Sequence, residues 1–209
     1  MTLRGAAGMK KVGVLVSGRG TNLQALVDAA HRGALGGEIA VVVSNVEDAP
    51  ALERAARAGI PTLFRDHRGR PREEFDGEIV SLLRGHGAEL VCLAGYMRLL
   101  SPGFLRAFPG RVLNVHPSLL PAFPGLEAQR QALEAGVRLS GATVHLVDEG
   151  VDTGPILLQE AVPVLAADTV ESLSARILEA EHRLYPRAVR AMLEGRVRFE
   201  GGRVIAEVA

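Results

Sequence analysis

Short apolar runs alternate with stretches of helical spacing over the first 115 residues. The apolar runs, rich in β-branched residues, predict buried strands at 12–16, 39–43, 61–64, 90–94 and 112–115. Apolar side chains at helical spacing predict helices at 21–30, 50–58 and 73–83. Because strands alternate with helices, the pattern predicts an α/β fold with a doubly wound, mostly parallel, twisted sheet.

The rhythm changes after residue 140. Two further strands are predicted at 142–147 and 156–164, joined by a loop rich in Gly and Asp, and residues 169–193 are predicted to form one long helix with a kink at Pro186. We therefore expect an N-terminal extension at 1–9, one half at 10–100, a second half at 101–195 and a tail at 196–209. The tail is either a terminal strand or disordered.

Composition and charge limit the classes of partner. Hydrophobic residues make up 47% of the 209 residues, and 24 Lys plus Arg balance 24 Asp plus Glu. A balanced charge favours neither nucleic acid nor an anionic membrane as partner, and the apolar runs are too short to span a membrane. The single cysteine, Cys92, lies in an apolar run, which favours a place in the core. A chain without disulfides fits the cytoplasm.

A glycine-rich turn follows the first predicted strand and opens the first predicted helix. It reads Ser17-Gly18-Arg19-Gly20-Thr21-Asn22. A helix N-terminus exposes unpaired N–H groups, and glycines let a ligand approach the backbone, so the turn suits a phosphate group. It is neither a Walker A loop nor a complete dinucleotide fingerprint. The alternative is an ordinary tight turn capped by Thr21.

Two polar residues end the fifth predicted strand. Asn114 and His116 are two residues apart, so both side chains point to the same face of that strand. At the carboxyl end of a parallel strand they would line the crevice where open α/β sheets bind ligands. An amide and an imidazole held there can stabilise an oxyanion and move a proton.

A loop with two glycines and a proline supplies a carboxylate partner, Asp152. If Asp152 lies beside His116, it favours the imidazolium, and the three residues form a set suited to acyl transfer. The alternative is a structural histidine and an acidic surface turn. A metal site formed by His116, Asp148 and Asp152 is less favoured, since neither HExxH nor CxxC is present.

At these motifs the chain resembles the phosphoribosylglycinamide formyltransferases, from about residue 11 to about residue 193. Four segments carry the resemblance, in the same order along the chain: residues 17–22, 93–102, 114–121 and 148–155. The resemblance implies a formyltransferase fold with a Rossmann-like, phosphate-binding half at 10–100 and a catalytic, folate-binding half at 101–195. It also implies the glycinamide ribonucleotide amine as acceptor and 10-formyltetrahydrofolate as donor, with no metal.

The resemblance also implies roles for individual residues. Asn114, His116 and Asp152 would be catalytic, with Asn114 also contacting the folate. The acceptor would be held by Gly20, Thr21, Asn22 and Glu181, and the folate by Arg72, Met97, Arg98, Leu99 and Leu100. From the residues alone, the three apolar side chains of this last group are equally well explained as core and Arg98 as solvated. Glu127 and Gln129 stand where many family members carry histidine, and no role is assigned to them.

Three alternatives remain. A formyltetrahydrofolate hydrolase shares the chemistry but carries an N-terminal regulatory domain, and it does not need the phosphate turn. A methionyl-tRNA formyltransferase adds a basic C-terminal domain, whereas this chain is neutral. A non-catalytic module that binds a phosphorylated ligand would explain the turn but not Asn114, His116 and Asp152. The monomer and the homodimer both remain open.

Overall fold

A computed structural model describes residues 10–200 and 203–206. One seven-stranded sheet organises the described chain, with strand order β3-β2-β1-β4-β5-β6-β7. Strands β1 to β5 are parallel, and β6 and β7 are antiparallel to their neighbours. The strands are β1 (Lys11–Val16), β2 (Glu38–Ser44), β3 (Thr62–Phe64), β4 (Leu90–Leu93), β5 (Val112–His116), β6 (Leu139–Leu146) and β7 (Ile156–Pro163).

Helices cover both faces of this sheet, which confirms the doubly wound prediction. The helices are α1 (Thr21–His31), α2 (Pro50–Arg57), α3 (Arg72–Gly85), α4 (Pro102–Ala107), α5 (Ala128–Glu134) and α6 (Val170–Leu193). Helix α6 begins with a capping box at Thr169 and Ser172 and continues through Pro186. In the tail, β8 (Val197–Glu200) and β9 (Arg203–Ala206) pair as an antiparallel hairpin. Of the two alternatives predicted for the tail, strand or disorder, these residues therefore follow the first. The predicted N-terminal extension lies outside the described residues.

Alternation along the central strand divides the core in two. Val14 and Val16 of β1 pack with α1 and α6 on one face, whereas Leu15 packs with Phe75 of α3 and Phe104 of α4 on the other. Burial on both faces explains why the parallel strands are continuously apolar in sequence. Cys92 is fully buried in the first of these clusters, and burial raises the pKa of its thiol to about 12, as expected of a core residue. Strands β4 and β5 lie on either side of residue 100 and pair with each other in one sheet. The division of the chain into two halves near that residue stays a prediction.

Candidate active site

The end of β5 brings His116 against the loop that follows β6. His116 Nδ1 lies 3.2 Å from Asp152 Oδ2, and its Nε2 lies 2.8 Å from the carbonyl oxygen of Phe123. Both ring nitrogens therefore face hydrogen-bond acceptors, and only the imidazolium can donate to both. The pairing of His116 with Asp152 expected from the sequence is present in the structure.

The backbone around Asp152 is held in unusual conformations. Asp152 itself has φ of 54° and Phe123 has φ of 55°, both in the left-handed region that non-glycine residues rarely adopt. Asp152 Oδ2 also accepts a hydrogen bond from the Gly125 N–H at 2.9 Å, which ties the two loops together. A Cβ on Gly154 would collide with the Leu146 carbonyl, so the loop can lie against β6 only with glycine there. Backbone strain of this kind is concentrated at functional sites.

His145 also belongs to this cluster, although no sequence motif pointed to it. It lies directly opposite Asn114 in the antiparallel β5–β6 pair, is buried, and faces the Leu146 carbonyl through Nδ1 at 2.8 Å. That contact places a proton on Nδ1, so Nε2 accepts from Asn114 Nδ2 at 3.1 Å in the neutral ring and donates toward Asp152 Oδ1 at 3.5 Å in the imidazolium. Asn114 Nδ2 also lies 3.4 Å from Asp152 Oδ1. His145 therefore orients the Asn114 amide, and only the antiparallel register could have pointed to it.

The electrostatics keep the Asp152 carboxyl ionised. Burial alone would raise its pKa, but contact with the His145 ring, the Gly125 hydrogen bond and the nearby His116 outweigh burial, and the pKa falls below its ordinary value of 3.8. At neutral pH the cluster thus contains a half-buried carboxylate next to a buried imidazole, an arrangement suited to general acid–base catalysis.

The glycine-rich turn leads into α1 as the sequence predicts. Gly20 is the N-terminal cap, with φ of 74°, and a Cβ there would approach the Ala51 backbone to 2.7 Å. Glycine is therefore required by both the conformation and the close packing of α2. No side chain among the described residues caps this helix, so Thr21 does not act as the cap that the alternative interpretation required. The first N–H groups of α1 remain available to an anion.

Asn22 and Glu181, 159 positions apart in sequence, meet at this turn. Asn22 Nδ2 donates to Glu181 Oε2 at 2.8 Å, and the buried Asn22 Oδ1 has no hydrogen-bond partner among the described residues. Glu181 is 6% exposed, and burial raises the pKa of its carboxyl to about 7, against the lowering effect of the Asn22 hydrogen bond. An unsatisfied buried oxygen beside a carboxyl that titrates near neutrality is typical of a binding site.

The residues assigned to the folate differ widely in exposure. Met97 and Leu99 are 69% and 57% exposed, an unfavourable state for large apolar side chains that a flat apolar ligand would relieve. Leu100 is buried in the second core cluster, and the Arg98 guanidinium lies 4.9 Å from the centre of the Phe75 ring. Arg72 opens α3 and is exposed. The folate roles of all five residues stay predictions.

A depression of about 210 Å³ lies beside the cluster of His116, His145 and Asp152. Asp152 lines it together with apolar side chains and backbone from both loops, namely Leu120, Pro121, Pro124, Val151, Thr153, Gly154 and Ile156. The apolar lining with one ionised group suits a mostly apolar ring system whose reacting atom must reach Asp152. Within the described residues, no group of three or more His, Cys, Asp or Glu side chains could hold a metal ion. No described helix is long and apolar enough to cross a membrane.

Comparison with known proteins decides the family. The formyl transferase family model matches residues 10–189. The phosphoribosylglycinamide formyltransferase of Haemophilus influenzae is 44% identical over 92% of this chain and 91% of its own length. The chain belongs to the phosphoribosylglycinamide formyltransferase family.

Other relatives place the family in a wider context. The crystal structure of glycinamide ribonucleotide transformylase 1 from Symbiobacterium toebii superposes with a TM-score of 0.94 at 56% identity, covering 99% of this chain and 98% of that one. The trifunctional purine biosynthetic protein adenosine-3 of Drosophila pseudoobscura pseudoobscura is 52% identical, but this chain spans only 14% of its length. A formyltetrahydrofolate deformylase from Pseudomonas syringae has a TM-score of 0.89 at 32% identity, with 66% of that chain covered.

Proposed function

We propose that this protein transfers the formyl group of 10-formyltetrahydrofolate to the amine of glycinamide ribonucleotide, a step of purine biosynthesis. The observation that carries the proposal is the Asp152–His116 pair, with Asn114 beside it, at the same edge of the sheet as an uncapped helix N-terminus. Bacterial relatives similar over most of their length carry the name of this activity. The cytoplasmic location expected from the sequence stays a prediction.

The residues suggest how the transfer proceeds. The acceptor amine attacks the formyl carbon, a new C–N bond forms, and the carbonyl electron pair moves onto the oxygen. We propose that this oxyanion accepts hydrogen bonds from His116 Nε2–H, in place of the Phe123 carbonyl that now receives it, and from the Asn114 amide. Collapse of the intermediate breaks the bond to folate N10, and the amine proton passes by way of Asp152 to that nitrogen.

Acceptor recognition is assigned to the other end of the site. The phosphate would accept hydrogen bonds from the N–H groups that follow Gly20, where the α1 dipole favours negative charge. Thr21 and Asn22 add side-chain donors, and Glu181, joined to Asn22, would meet the rest of the ribonucleotide. The folate ring would lie over Met97 and Leu99 and enter the depression beside Asp152.

The test follows folate absorbance with 10-formyltetrahydrofolate, with and without glycinamide ribonucleotide. Asp152→Asn keeps the shape of the side chain and removes its charge, so we expect turnover to fall by about 10²- to 10⁴-fold. The matched control is Glu149→Gln, an exposed carboxyl of the same loop, which should keep wild-type turnover. Wild-type turnover in Asp152→Asn would overturn the catalytic assignment. Folate turnover that does not need the ribonucleotide would instead support the hydrolase alternative, which the similarity to the deformylase keeps open.

A further inference from the structure

A basic depression of about 430 Å³ lies between α1 and α6, away from the residues proposed to be catalytic. Of the nine described residues that line it, five are arginines, one is a histidine and none is acidic, although the whole chain has no net charge. The lining residues are Ala29, Arg32, Ala34, His182, Arg183, Pro186, Arg187, Arg190 and Arg196. We propose that this depression, called here the arginine cleft, binds a small ligand that carries a di- or triphosphate group.

The ion pairs of the arginine cleft leave positive charge uncompensated. Arg190 and Arg196 share one carboxylate, that of Glu194, and Arg183 pairs with Glu160. Among the described residues, Arg32 and Arg187 have no carboxylate within 4 Å. Among the side chains that the structure describes, five guanidinium groups thus face two carboxylates. Guanidinium groups are the side chains best shaped to bind phosphate oxygens in pairs.

Unpaired buried nitrogen atoms support a ligand over a merely solvated surface. The Nε2 atom of His182 and the Nε atom of Arg196 are both buried without a hydrogen-bond partner among the described residues. Buried nitrogen atoms rarely stay unpaired, so the Arg196 Nε–H, which can only donate, calls for an acceptor, and the His182 Nε2 calls for a partner. Burial lowers the pKa of His182, against the raising effect of the charges of Asp28 and Glu179, neither of which lines the cleft. The positive charge of the cleft therefore comes from its arginines.

The shape of the cleft indicates the class of ligand. Ala29 is buried and Ala34 and Pro186 are half-buried, whereas Arg32 and Arg187 are exposed. An apolar floor with cationic groups around its edge fits a molecule with a small apolar body and several phosphates, and the volume lies in the range of about 300–1,000 Å³ typical of such sites. Because α1 and α6 also carry Asn22 and Glu181, an anion bound here would hold together the two helices that meet at the acceptor site.

Calorimetric titration with inorganic triphosphate at low salt tests the proposal in the full chain. The Arg32→Ala/Arg187→Ala variant should bind triphosphate at least about tenfold more weakly than wild type, since it removes two guanidinium groups that can each bind phosphate oxygens in pairs. The matched control is Arg57→Ala/Arg68→Ala, which removes two exposed arginines paired with Glu53 and Asp66 elsewhere. The control should bind within twofold of wild type.

The remaining outcomes separate this site from the phosphate turn and from other ligands. The proposal that the arginine cleft binds triphosphate would be overturned by any of three results. Wild type does not bind triphosphate, both double variants bind it equally well, or both lose binding equally. Binding lost only in Asn22→Ala would assign the triphosphate to the turn at Gly20 instead. A short single-stranded RNA that binds more tightly than triphosphate, and is lost in Arg32→Ala/Arg187→Ala, would overturn the ligand class. None of these outcomes depends on the formyl transfer proposed above.

Discussion

The contact between His145 and Asn114 makes a sharp prediction for single residues. In His145→Leu the buried volume stays filled but the acceptor for the Asn114 amide is lost, so the amide is free to rotate away from the oxyanion position. We expect kcat to fall by about 10- to 100-fold, the cost of a small misplacement of a catalytic group. The KM for the folate should stay within about threefold, because His145 does not line the depression beside Asp152.

The control for this prediction is His145→Gln, whose amide oxygen can accept from Asn114. It should recover part of the lost kcat at the same thermal stability as His145→Leu. If both variants fall equally in kcat, or if the loss follows the melting temperature alone, His145 serves only to fill the core. Steady-state kinetics and thermal melts on the two proteins decide between these results.

The raised pKa of Glu181 predicts how the stability of the protein changes with pH. Its pKa is about 7 in the folded protein and 4.5 ordinarily, so between these values the folded state holds a proton that the unfolded state has lost. Stability must therefore fall as the pH rises from 4.5 through 7, when a buried charge is created. Glu181→Gln removes this titration, and we expect the variant to gain about 1–3 kcal/mol relative to wild type between pH 5 and pH 8.

Urea unfolding of both proteins at the two pH values measures this difference. Glu179→Gln, a neighbouring carboxyl on α6 that shows no such burial, is the control and should leave the wild-type pH dependence unchanged. A wild-type-like pH dependence in Glu181→Gln would show that the carboxyl titrates normally. The assigned contact with the acceptor would then lose its electrostatic support.

At the scale of structural elements, one side chain links the glycine-rich turn at residues 17–22 to residues 97–100, which are assigned to the folate. Ser17, at the end of β1, accepts a hydrogen bond from the Met97 N–H at 2.9 Å and donates to Asn45 Oδ1 at 2.6 Å. Its own N–H donates to the Gly95 carbonyl at 3.1 Å. The loops after β1, β2 and β4 are thus fixed to each other at the point where the two substrates are expected to meet.

Removing this link should affect both substrates together. In Ser17→Ala we expect the KM values of acceptor and donor to rise by about threefold to tenfold each, which corresponds to the loss of roughly one hydrogen bond at 0.5–1.5 kcal/mol. The control is Ser81→Ala, which removes an exposed hydroxyl bonded to Gly77 within α3 and should change neither KM. A rise in only one KM would show that the two loops act independently.

The strands and helices were predictable to different degrees, for physical reasons. The buried parallel strands and α6 have long apolar patterns, so the sequence indicates them directly. Helices α4 and α5 were not predicted because they have only six and seven residues, too few to show the helical spacing of apolar side chains. Ser101 followed by Pro102 is nevertheless a helix start signal. Asn114 and His116 could be placed by alternation along β5. The position of His145 depends on the antiparallel register, and that of the Phe123 carbonyl depends on the loop conformation. The pattern of apolar and polar residues along the chain encodes neither.

At the scale of the whole molecule, the candidate site and the C-terminal hairpin lie in different parts of the structure. The hairpin β8–β9 packs Val197 and Val204 against the first core cluster and contacts β7. The site depends on β7 through Gln159, whose Nε2 donates to the Leu120 carbonyl at 2.8 Å. Strand β7 is held independently, because it pairs with β6 over its whole length and packs against α6.

Removal of residues 197–209 should therefore lower stability without lowering activity. Exposing the apolar surface that the two half-buried valines cover lowers the free energy of unfolding by about 1–3 kcal/mol. The β6–β7 ladder that positions Gln159 remains intact. We expect a lower urea midpoint with kcat and both KM values within twofold of wild type. The double variant Val197→Ala/Val204→Ala should show about half of the stability loss, because it keeps the hairpin backbone and deletes only the side-chain contacts. If kcat falls in the truncated protein but not in the double variant, the hairpin backbone supports β7 and the catalytic edge of the sheet is coupled to the tail.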